Sequence, residues 1–487
     1  MLLSKIQNIE VSYGINLLFK LEKLEIFEYD IVGIVGKNGC GKTTLLNIIA
    51  GLREPDSGSV KNFCDLAYYR QFNEFNENNI VGRGALDAPL LAHELSGGET
   101  TKIFLSDALN KNAPLLLLDE PTSNLDISSI KLLEKQILNY NGAVVLISHD
   151  RKLLENTCTK IVGIENRTAT VYDCNYAEFL DIKEKEAERA EFLYEAYNKE
   201  RRRLIESIRE SQSKTKSVRK APKRMGNSEA RLHKREAGER MESVEAGANA
   251  LKTRLEKLEV HEKPRKQRKI GIELKDSNSI ERYKGRYIIE CEDLTAAFDD
   301  NILFENAVFR IKTGSKTALI GDNGSGKTTL IKKILCGECE NIKLNAKNVA
   351  YYSQGLDILD SSKTILKNVM LENAFTELEA RNILGRLDIR DDNVNKKVKD
   401  ISGGEKVKVC FAKIFTKGAD LIILDEPTNY LDITTTKVLE DIITEYDGTV
   451  LAVSHDRSFV ENISDSVLEI DANAKKIKYY DTGYGEV

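Results

Sequence analysis

The segment GKNGCGKTT at residues 36–44 is written a second time, with two substitutions, as GDNGSGKTT at 321–329. Both copies obey one pattern: a glycine, four variable residues, then Gly-Lys-Thr. Each follows an apolar run that reads as a strand (IVGIV, TALI) and precedes one that reads as a helix (LLNIIA, LIKKIL). A glycine-rich turn in that position lets successive backbone N–H groups point inward, and the helix N-terminus adds the positive end of its dipole. Such a turn holds phosphate. The residues expected to form it are Gly36, Asn38, Gly39, Gly41, Lys42, Thr43 and Thr44, and in the second copy Gly321, Asn323, Gly324, Gly326, Lys327, Thr328 and Thr329. The lysine neutralises terminal phosphate charge, and the hydroxyl of Thr43 or Thr328 reaches Mg²⁺.

The repetition extends well beyond the loops. Apolar strands end in paired acids, LLLLDE at 115–120 and LIILDE at 421–426. The first acid, Asp119 or Asp425, is delivered to the Mg²⁺ shell, and the second, Glu120 or Glu426, is placed to polarise an attacking water. Spacing separates this reading from a chance Asp-Glu. An aromatic, Tyr13 or Phe298, lies 29 residues before the loop lysine in both copies. The serine of LSGGE (95–99) or ISGGE (401–405) lies 24 residues before the glutamate, and a histidine, His149 or His455, lies 29 after it. The chain is therefore expected to contain two homologous α/β domains, at 1–175 and 285–487.

With these residues in view the chain resembles the ATP-binding cassette proteins, whose distinguishing signature is the Ser-Gly-Gly motif seen at Ser96, Gly97, Gly98 and at Ser402, Gly403, Gly404. The resemblance implies further roles. Gln71 and Gln354 at strand ends would meet nucleotide and Mg²⁺, SNLD (123–126) and NYLD (429–432) would be D-loops, and His149 and His455 would be switch histidines. Tyr13 and Phe298 would stack on adenine. It also implies that the signature of one cassette completes the phosphate site of the other. Lys42, Glu120 and His149 would then work with Ser402, Gly403 and Gly404, and Lys327, Glu426 and His455 with Ser96, Gly97 and Gly98. Two ATP molecules would hold the halves closed, and hydrolysis would release them.

What lies between and around the cassettes narrows the class. The longest apolar runs, LLLL at 115–118 and AVVLI at 143–147, are far short of the ~18–20 residues that span a bilayer. MLLSKIQNIEVSYG has neither a basic n-region before an apolar stretch nor a cleavage site, so a cytoplasmic location is expected. Eight cysteines over 487 residues make no disulfide framework, and the CGEC pair has no partner pair for zinc. The distance from glutamine to signature serine is 25 residues in the first half and 48 in the second. The sector that grips membrane domains in transporters is thus shortened by 23.

Residues 176–284 read as a helical linker. Ala237, Met241, Val244, Ala248, Leu251, Leu255 and Leu258 recur in alternating steps of four and three, a coiled-coil seam. Ala190, Leu193, Tyr197, Leu204 and Ile208 supply matching positions on an earlier helix, so an antiparallel hairpin with arms of roughly 54 Å is expected. Its tip, Ser213 to Lys234, carries Lys214, Lys216, Arg219, Lys220, Lys223, Arg224, Arg231 and Lys234. Residues 201–240 hold 14 Lys/Arg against 5 Asp/Glu, a local +9 that leaves −14 on the rest of the chain. A cationic tip on an acidic body suits a phosphate backbone, and with no aromatic between Ser213 and Lys234 it suits structured RNA better than single strands.

Two cassettes on one chain, joined by such a linker, look like the ABC-F family of translation factors. The resemblance implies an ATPase that uses ATP and Mg²⁺. It implies a monomer closing its two cassettes on each other, and a linker acting as the P-site tRNA interaction motif. The ribosome, through large-subunit rRNA and P-site tRNA, would be the partner, with no membrane. The long KAPKRMGNSEARLHK tip and the shortened first cassette are similar to the antibiotic-resistance subgroup, which displaces drugs from the peptidyl transferase centre. The alternative is a housekeeping factor that relieves stalled ribosomes. A DNA-associated or transporter-coupled ATPase is the outside reading.

Overall fold

The computed structural model describes residues 1–14, 16–70, 97–218, 244, 246–258, 286–298, 301–336, 341–353, 358–371, 376–429 and 431–484. It divides into two compact units, Met1–Tyr176 with Arg268–Val487, and Ala177–Gln267. Both repeats lie in the first unit.

In the first repeat, β8 (Lys160–Glu165), β3 (Ile31–Gly36), β7 (Ala143–Ile147), β6 (Leu115–Asp119) and β5 (Leu66–Tyr69) run parallel in that order. Every residue of β6 and β7 is buried, the pattern of parallel strands covered on both faces. A long antiparallel hairpin, β1 (Leu2–Tyr13) and β2 (Asn16–Phe27), carries β4 (Ser57–Asn62) on its edge. β2 pairs briefly with β9 (Thr168–Tyr172), Lys20 with Thr168 and Leu21 with Ala169, which fuses nine strands into one sheet.

The second repeat follows the same plan. β14 (Val349–Tyr352), β15 (Leu421–Asp425), β16 (Thr449–Val453), β12 (Lys316–Gly321) and β17 (Ser466–Asp471) run parallel, and β18 (Lys476–Tyr480) closes antiparallel. Here β10 (Tyr287–Phe298), β11 (Asn301–Lys312) and β13 (Ile342–Leu344) remain a separate sheet. Glu305 N–H donates to Lys475 O at 2.9 Å, and no ladder follows it among the described residues.

Each phosphate loop enters a helix, α1 (Lys42–Ile49) or α7 (Lys327–Cys336). Both helices pack on the parallel strands: Leu46 and Ile49 share a core with Leu115, Leu117 and Val145, and Leu330 and Ile334 with Leu421, Ile423 and Leu451. The entry point is a left-handed glycine, Gly41 at φ 106° and Gly326 at φ 100°. A Cβ on Gly41 would also meet the Phe19 ring at 2.8 Å, so no other residue fits there. The signature helices are α2 (Gly97–Asn110) and α10 (Gly403–Thr416). The helices after the D-loops are α3 (Ile127–Leu138) and α11 (Ile433–Glu445), and those after the histidines are α4 (Arg151–Thr157) and α12 (Arg457–Ile463). In the second repeat, α8 (Ile365–Val369) and α9 (Glu377–Arg386) pack their apolar faces on α10. Their first-repeat counterparts, 71–96, lie outside the described residues.

The unit Ala177–Gln267 holds nearly all of α5 (Tyr176–Val218), 43 residues or about 64 Å at 1.5 Å per residue, and a helical segment at 246–256, α6. The first residues of the expected tip, Ser213 to Val218, are helical. Lys214 and Lys216 continue the helix, which is described as far as Val218. Within this unit Glu200 and Arg254 pair at 3.0 Å, and Leu204, Ile208 and Ala248 are buried.

Candidate active site

Residues read from the two repeats converge on two sites of matching design. In the first, Lys42 is buried and donates to Gly36 O (2.8 Å) and Lys37 O (3.4 Å) of its own loop. Lys327 does the same with Gly321 O (2.8 Å) and Asp322 O (3.0 Å). Thr43 donates its hydroxyl hydrogen to Asp119 Oδ1 at 3.4 Å, which places the two expected Mg²⁺ groups side by side. Asp425, in the equivalent place, accepts from the Tyr351 hydroxyl at 3.4 Å. Among the described residues no cluster of three or more His, Cys, Asp or Glu could hold a metal alone. A hydroxyl beside one carboxylate fits Mg²⁺, which keeps waters and takes phosphate oxygens as its remaining ligands.

Strand ends set the acids. Asp119 and Asp425 are the last residues of β6 and β15, and the next residue turns left-handed, Glu120 at φ 50° and Glu426 at φ 49°. Each turn is held by the glutamate's own N–H, donating to Ile147 O or Val453 O at 3.0 Å. Side chains with a Cβ tolerate that region at a cost of about 1–3 kcal/mol, and such strain concentrates at functional positions. It aims each glutamate at its histidine. His149 Nε2 stands 3.1 Å from Glu120 Oε1, and His455 Nε2 3.3 Å from Glu426 Oε1, without hydrogen-bond alignment. The Oε1 of each glutamate and the Nδ1 of each histidine are buried polar atoms without a partner among the described residues. Buried unpaired groups of this kind fit a ligand that completes them.

Burial dominates the protonation states. It pushes the Glu120 carboxyl up to about 7, against the pull of Lys42 and with the help of Asp119. Glu426 is raised for the same reason, with Lys327 opposing. Burial lowers His149 and His455 to about 3, reinforced by Lys42 and Lys327 respectively, so both imidazoles are neutral at pH 7. A carboxyl titrating near neutrality beside a neutral imidazole can accept a proton from water.

The cassettes meet head to tail. Asn38 N–H of the first phosphate loop donates to Asp432 Oδ2 of the second D-loop at 3.0 Å, and Asn323 N–H donates to Asp126 Oδ2 at 3.3 Å. Each aspartate is also the N-cap of its own helix, accepting from Ser129 N–H (2.9 Å) or Thr435 N–H (2.8 Å). Asn323 donates through Nδ2 to Asn124 O (2.8 Å), and Ser128 donates to Asp322 (3.0 Å). A cavity of 590 Å³ is lined by Tyr13, Lys42, Thr43 and Glu120 on one side and Gly404, Asn429 and Leu431 on the other, and it reaches Glu426 and His455. The structure thus brings Gly404 to the first phosphate loop, while Gly98 sits against Asn323 of the second.

Tyr13 is at the turn of the β1–β2 hairpin, largely exposed, with the Arg53 guanidinium 4.3 Å from its ring centre. Arg53, held by a bond to Ser12 O (2.9 Å), carries no signal in the sequence. Phe298 occupies the corresponding hairpin position opposite Asn301. Gln71, Ser96 and Gln354 lie outside the described residues. So do Arg219, Lys220, Lys223, Arg224, Arg231 and Lys234, and for Lys214 and Lys216 only the helical backbone is described. In the sequence Asp126 and Asp432 stand out only as members of the D-loop motif, and their cross-cassette contacts are visible only in the fold. Their equal offset of six residues from Glu120 and Glu426 is the available clue.

The family described as "ABC transporter" matches residues 20–76 and 304–429. The chain is 33% identical, over 95% of its length and 86% of the relative's, to ribosome protection protein VmlR of Bacillus subtilis (strain 168). It is 31% identical to ABC transporter F family member 2 of Arabidopsis thaliana, over 96% of its length and 76% of the relative's. Among solved structures, an RNase-L inhibitor superposes with a TM-score of 0.63 at 20% identity, covering 99% of this chain and 91% of the other, a likeness of fold.

Proposed function

Because the chain belongs to the ABC-F family of ATP-binding cassette proteins and hydrolyses ATP, we propose that it is a ribosomal protection factor. It works in the cytoplasm as a monomer, closing its cassettes over two ATP molecules to place the linker tip in the tRNA exit site of the ribosome. There the tip meets large-subunit rRNA and P-site tRNA and displaces drugs from the peptidyl transferase centre. One observation carries the reading: the reciprocal Asn38–Asp432 and Asn323–Asp126 contacts, by which each phosphate loop is completed by the other half of the same chain. Similarity to a ribosome protection protein over nearly the whole chain, linker included, supports the choice of partner. Among the described residues no helix is long and apolar enough to cross a membrane.

In this reading Lys42 and Lys327 bind the terminal phosphates, and Tyr13 and Phe298 stack on the bases. Mg²⁺, held by Thr43 with Asp119 and by Thr328 with Asp425, supplies charge neutralisation at the phosphates. Glu120 and Glu426 accept the proton of the attacking water, and neutral His149 and His455 hold the γ-phosphate oxygen by a hydrogen bond. Gly404 and Gly98 leave the approach of the opposite signature helix unobstructed. Gln71, Gln354, Ser96, Ser402, Gly97 and Gly403 take the roles their motifs imply. The Glu200–Arg254 pair and the buried Leu204, Ile208 and Ala248 support an antiparallel hairpin that extends the basic block from Lys214 to Lys234 away from its base. Phosphate contacts from those residues would make binding steeply salt-dependent.

Glu120→Gln with Glu426→Gln tests the engine: with ATP the double variant is expected to co-sediment with ribosomes, and sedimentation free of them refutes the translational reading. Deleting 215–226 tests the role of the tip. It is expected to abolish protection of a susceptible bacterium, read as inhibitory concentrations of peptidyl-transferase drugs, while ATP binding persists. Unchanged protection would favour the second reading, a housekeeping factor for stalled ribosomes, which the comparable similarity to ABC transporter F family member 2 keeps in view.

A further inference from the structure

A second set of cross-cassette contacts lies outside the nucleotide cavity and repeats with the same symmetry. Arg151, two residues after His149, donates from both terminal nitrogens to Glu440 of the other cassette, Nη1 to Oε2 at 3.2 Å. Arg457, two residues after His455, donates to Glu134 Oε2 at 3.0 Å. Each glutamate is fixed by an asparagine of its own cassette: Asn462 donates to Glu440 (3.0 Å) and Asn156 to Glu134. Asp456 Oδ2 stands 3.9 Å from Arg151, and Asp150 Oδ2 3.9 Å from Arg457. The arginine, glutamate and aspartate side chains are all between 5% and 14% exposed, so the ion pairs are shielded from water and geometrically defined.

Their place along the helices gives them a task. Glu134 lies eight residues beyond Asp126 in α3, and Glu440 eight beyond Asp432 in α11, about 12 Å along the axis. One end of α11 therefore touches the first phosphate loop at Asn38, and a point two turns on grips the first switch arm at Arg151. α3 does the same for the second site, through Asn323 and Arg457. Both helices are N-capped and packed along one face, which makes them stiff over that span.

We propose that Arg151 and Arg457 are positioning residues, through which a helix of the opposite cassette sets the spacing between phosphate loop and switch histidine at each site. Arg151 with Glu440 serves the site of Lys42 and His149; Arg457 with Glu134 serves the site of Lys327 and His455. Loosening one pair shifts the histidine and glutamate relative to a phosphate still bound by the loop. The loss falls on the hydrolytic step, where misplacement by about 1 Å costs up to about 100-fold, and ATP binding is spared. The inference rests on the assignment of Glu120 and Glu426 to the two hydrolytic sites.

Two backgrounds separate the sites: Glu426→Gln leaves hydrolysis to the first, and Glu120→Gln to the second. Single-turnover hydrolysis is measured in each against ATP concentration. Arg151→Lys and Glu440→Gln, which keep bulk and test the pair from both ends, are expected to slow the first site roughly 10- to 100-fold, with half-saturating ATP within about twofold. They should leave the second site nearly unchanged. Arg457→Lys and Glu134→Gln should do the reverse. Equal slowing of both sites, no slowing, or a change confined to half-saturating ATP overturns the proposal, since a purely structural latch has no reason to choose a site. If neither Glu→Gln background lowers total turnover, the assignment of the two glutamates fails instead.

Discussion

Replacing Glu120 by Gln removes a charge from a place that resists it, and the structure sets the size of the effect. The side chain is 12% exposed, and burial lifts its carboxyl from an ordinary 4.5 to about 7. That difference corresponds to about 3 kcal/mol, at 1.36 kcal/mol per tenfold change in proton affinity. Between pH 4.5 and 7 the native state binds more protons than the unfolded state, so this group's contribution to stability falls as pH rises and is flat above 7. Glutamine keeps the shape and the left-handed backbone of Glu120 (φ 50°), so charge is the variable that changes. Without nucleotide and with chelator present, the variant is expected to be more stable than the parent by up to about 3 kcal/mol at pH 8, and equal to it below pH 4.5. Guanidinium unfolding followed by the fluorescence of the 18 tyrosines, with no tryptophan to dominate, reads the difference at several pH values. Transition midpoints serve better than extrapolated free energies for a chain with two compact units. A gain of equal size at pH 5 and pH 8 would assign the effect to packing and refute the desolvation argument, as would a loss at pH 8.

The two signature helices are expected to respond unequally to a methyl group. A Cβ on Gly98 would stand 2.8 Å from both Asn124 O and Asn323 Nδ2, whereas one on Gly404 meets only Asn38 Nδ2 at 3.8 Å. Gly98→Ala should weaken ATP-dependent closure at the second site by about 1–3 kcal/mol, read with a fluorescent nucleotide, and Gly404→Ala should be nearly silent; equal effects would contradict the geometry. Asp432→Ala should cost about 2–4 kcal/mol through the lost cap and the lost bond from Asn38 N–H. Asp432→Asn should keep the thermal midpoint and lose affinity at the first site only, and indistinguishable variants would count against the double role of Asp432.

The phosphate loops are legible in the amino-acid sequence for a local reason. They need a left-handed glycine at 41 and 326, a lysine and a threonine at fixed offsets, and an apolar strand in front, all within a short stretch of chain. Those needs leave a mark on the sequence, and the equal spacings double its strength. The strands ending in Asp119 and Asp425 are readable in the same way, because burial on both faces forces an unbroken apolar run. Arg151, Arg457, Glu134 and Glu440 share the equal spacing, two residues after each histidine and fourteen after each glutamate, but nothing in that spacing says what they meet. Each looks like one more charged residue on a helix, and its importance emerges only when segments 289 and 323 residues apart in the chain come within hydrogen-bond distance. The same holds for Arg53 beneath Tyr13 and for the join of β2 to β9 that fuses one sheet and leaves its counterpart separate. Sequence alone determined which backbone turns and buried strands must form, since those follow from each residue's own conformational and solvation preferences. Tertiary structure decided which charge meets which, because an ion pair between distant segments depends on the assembled positions of four helices and on the water they exclude.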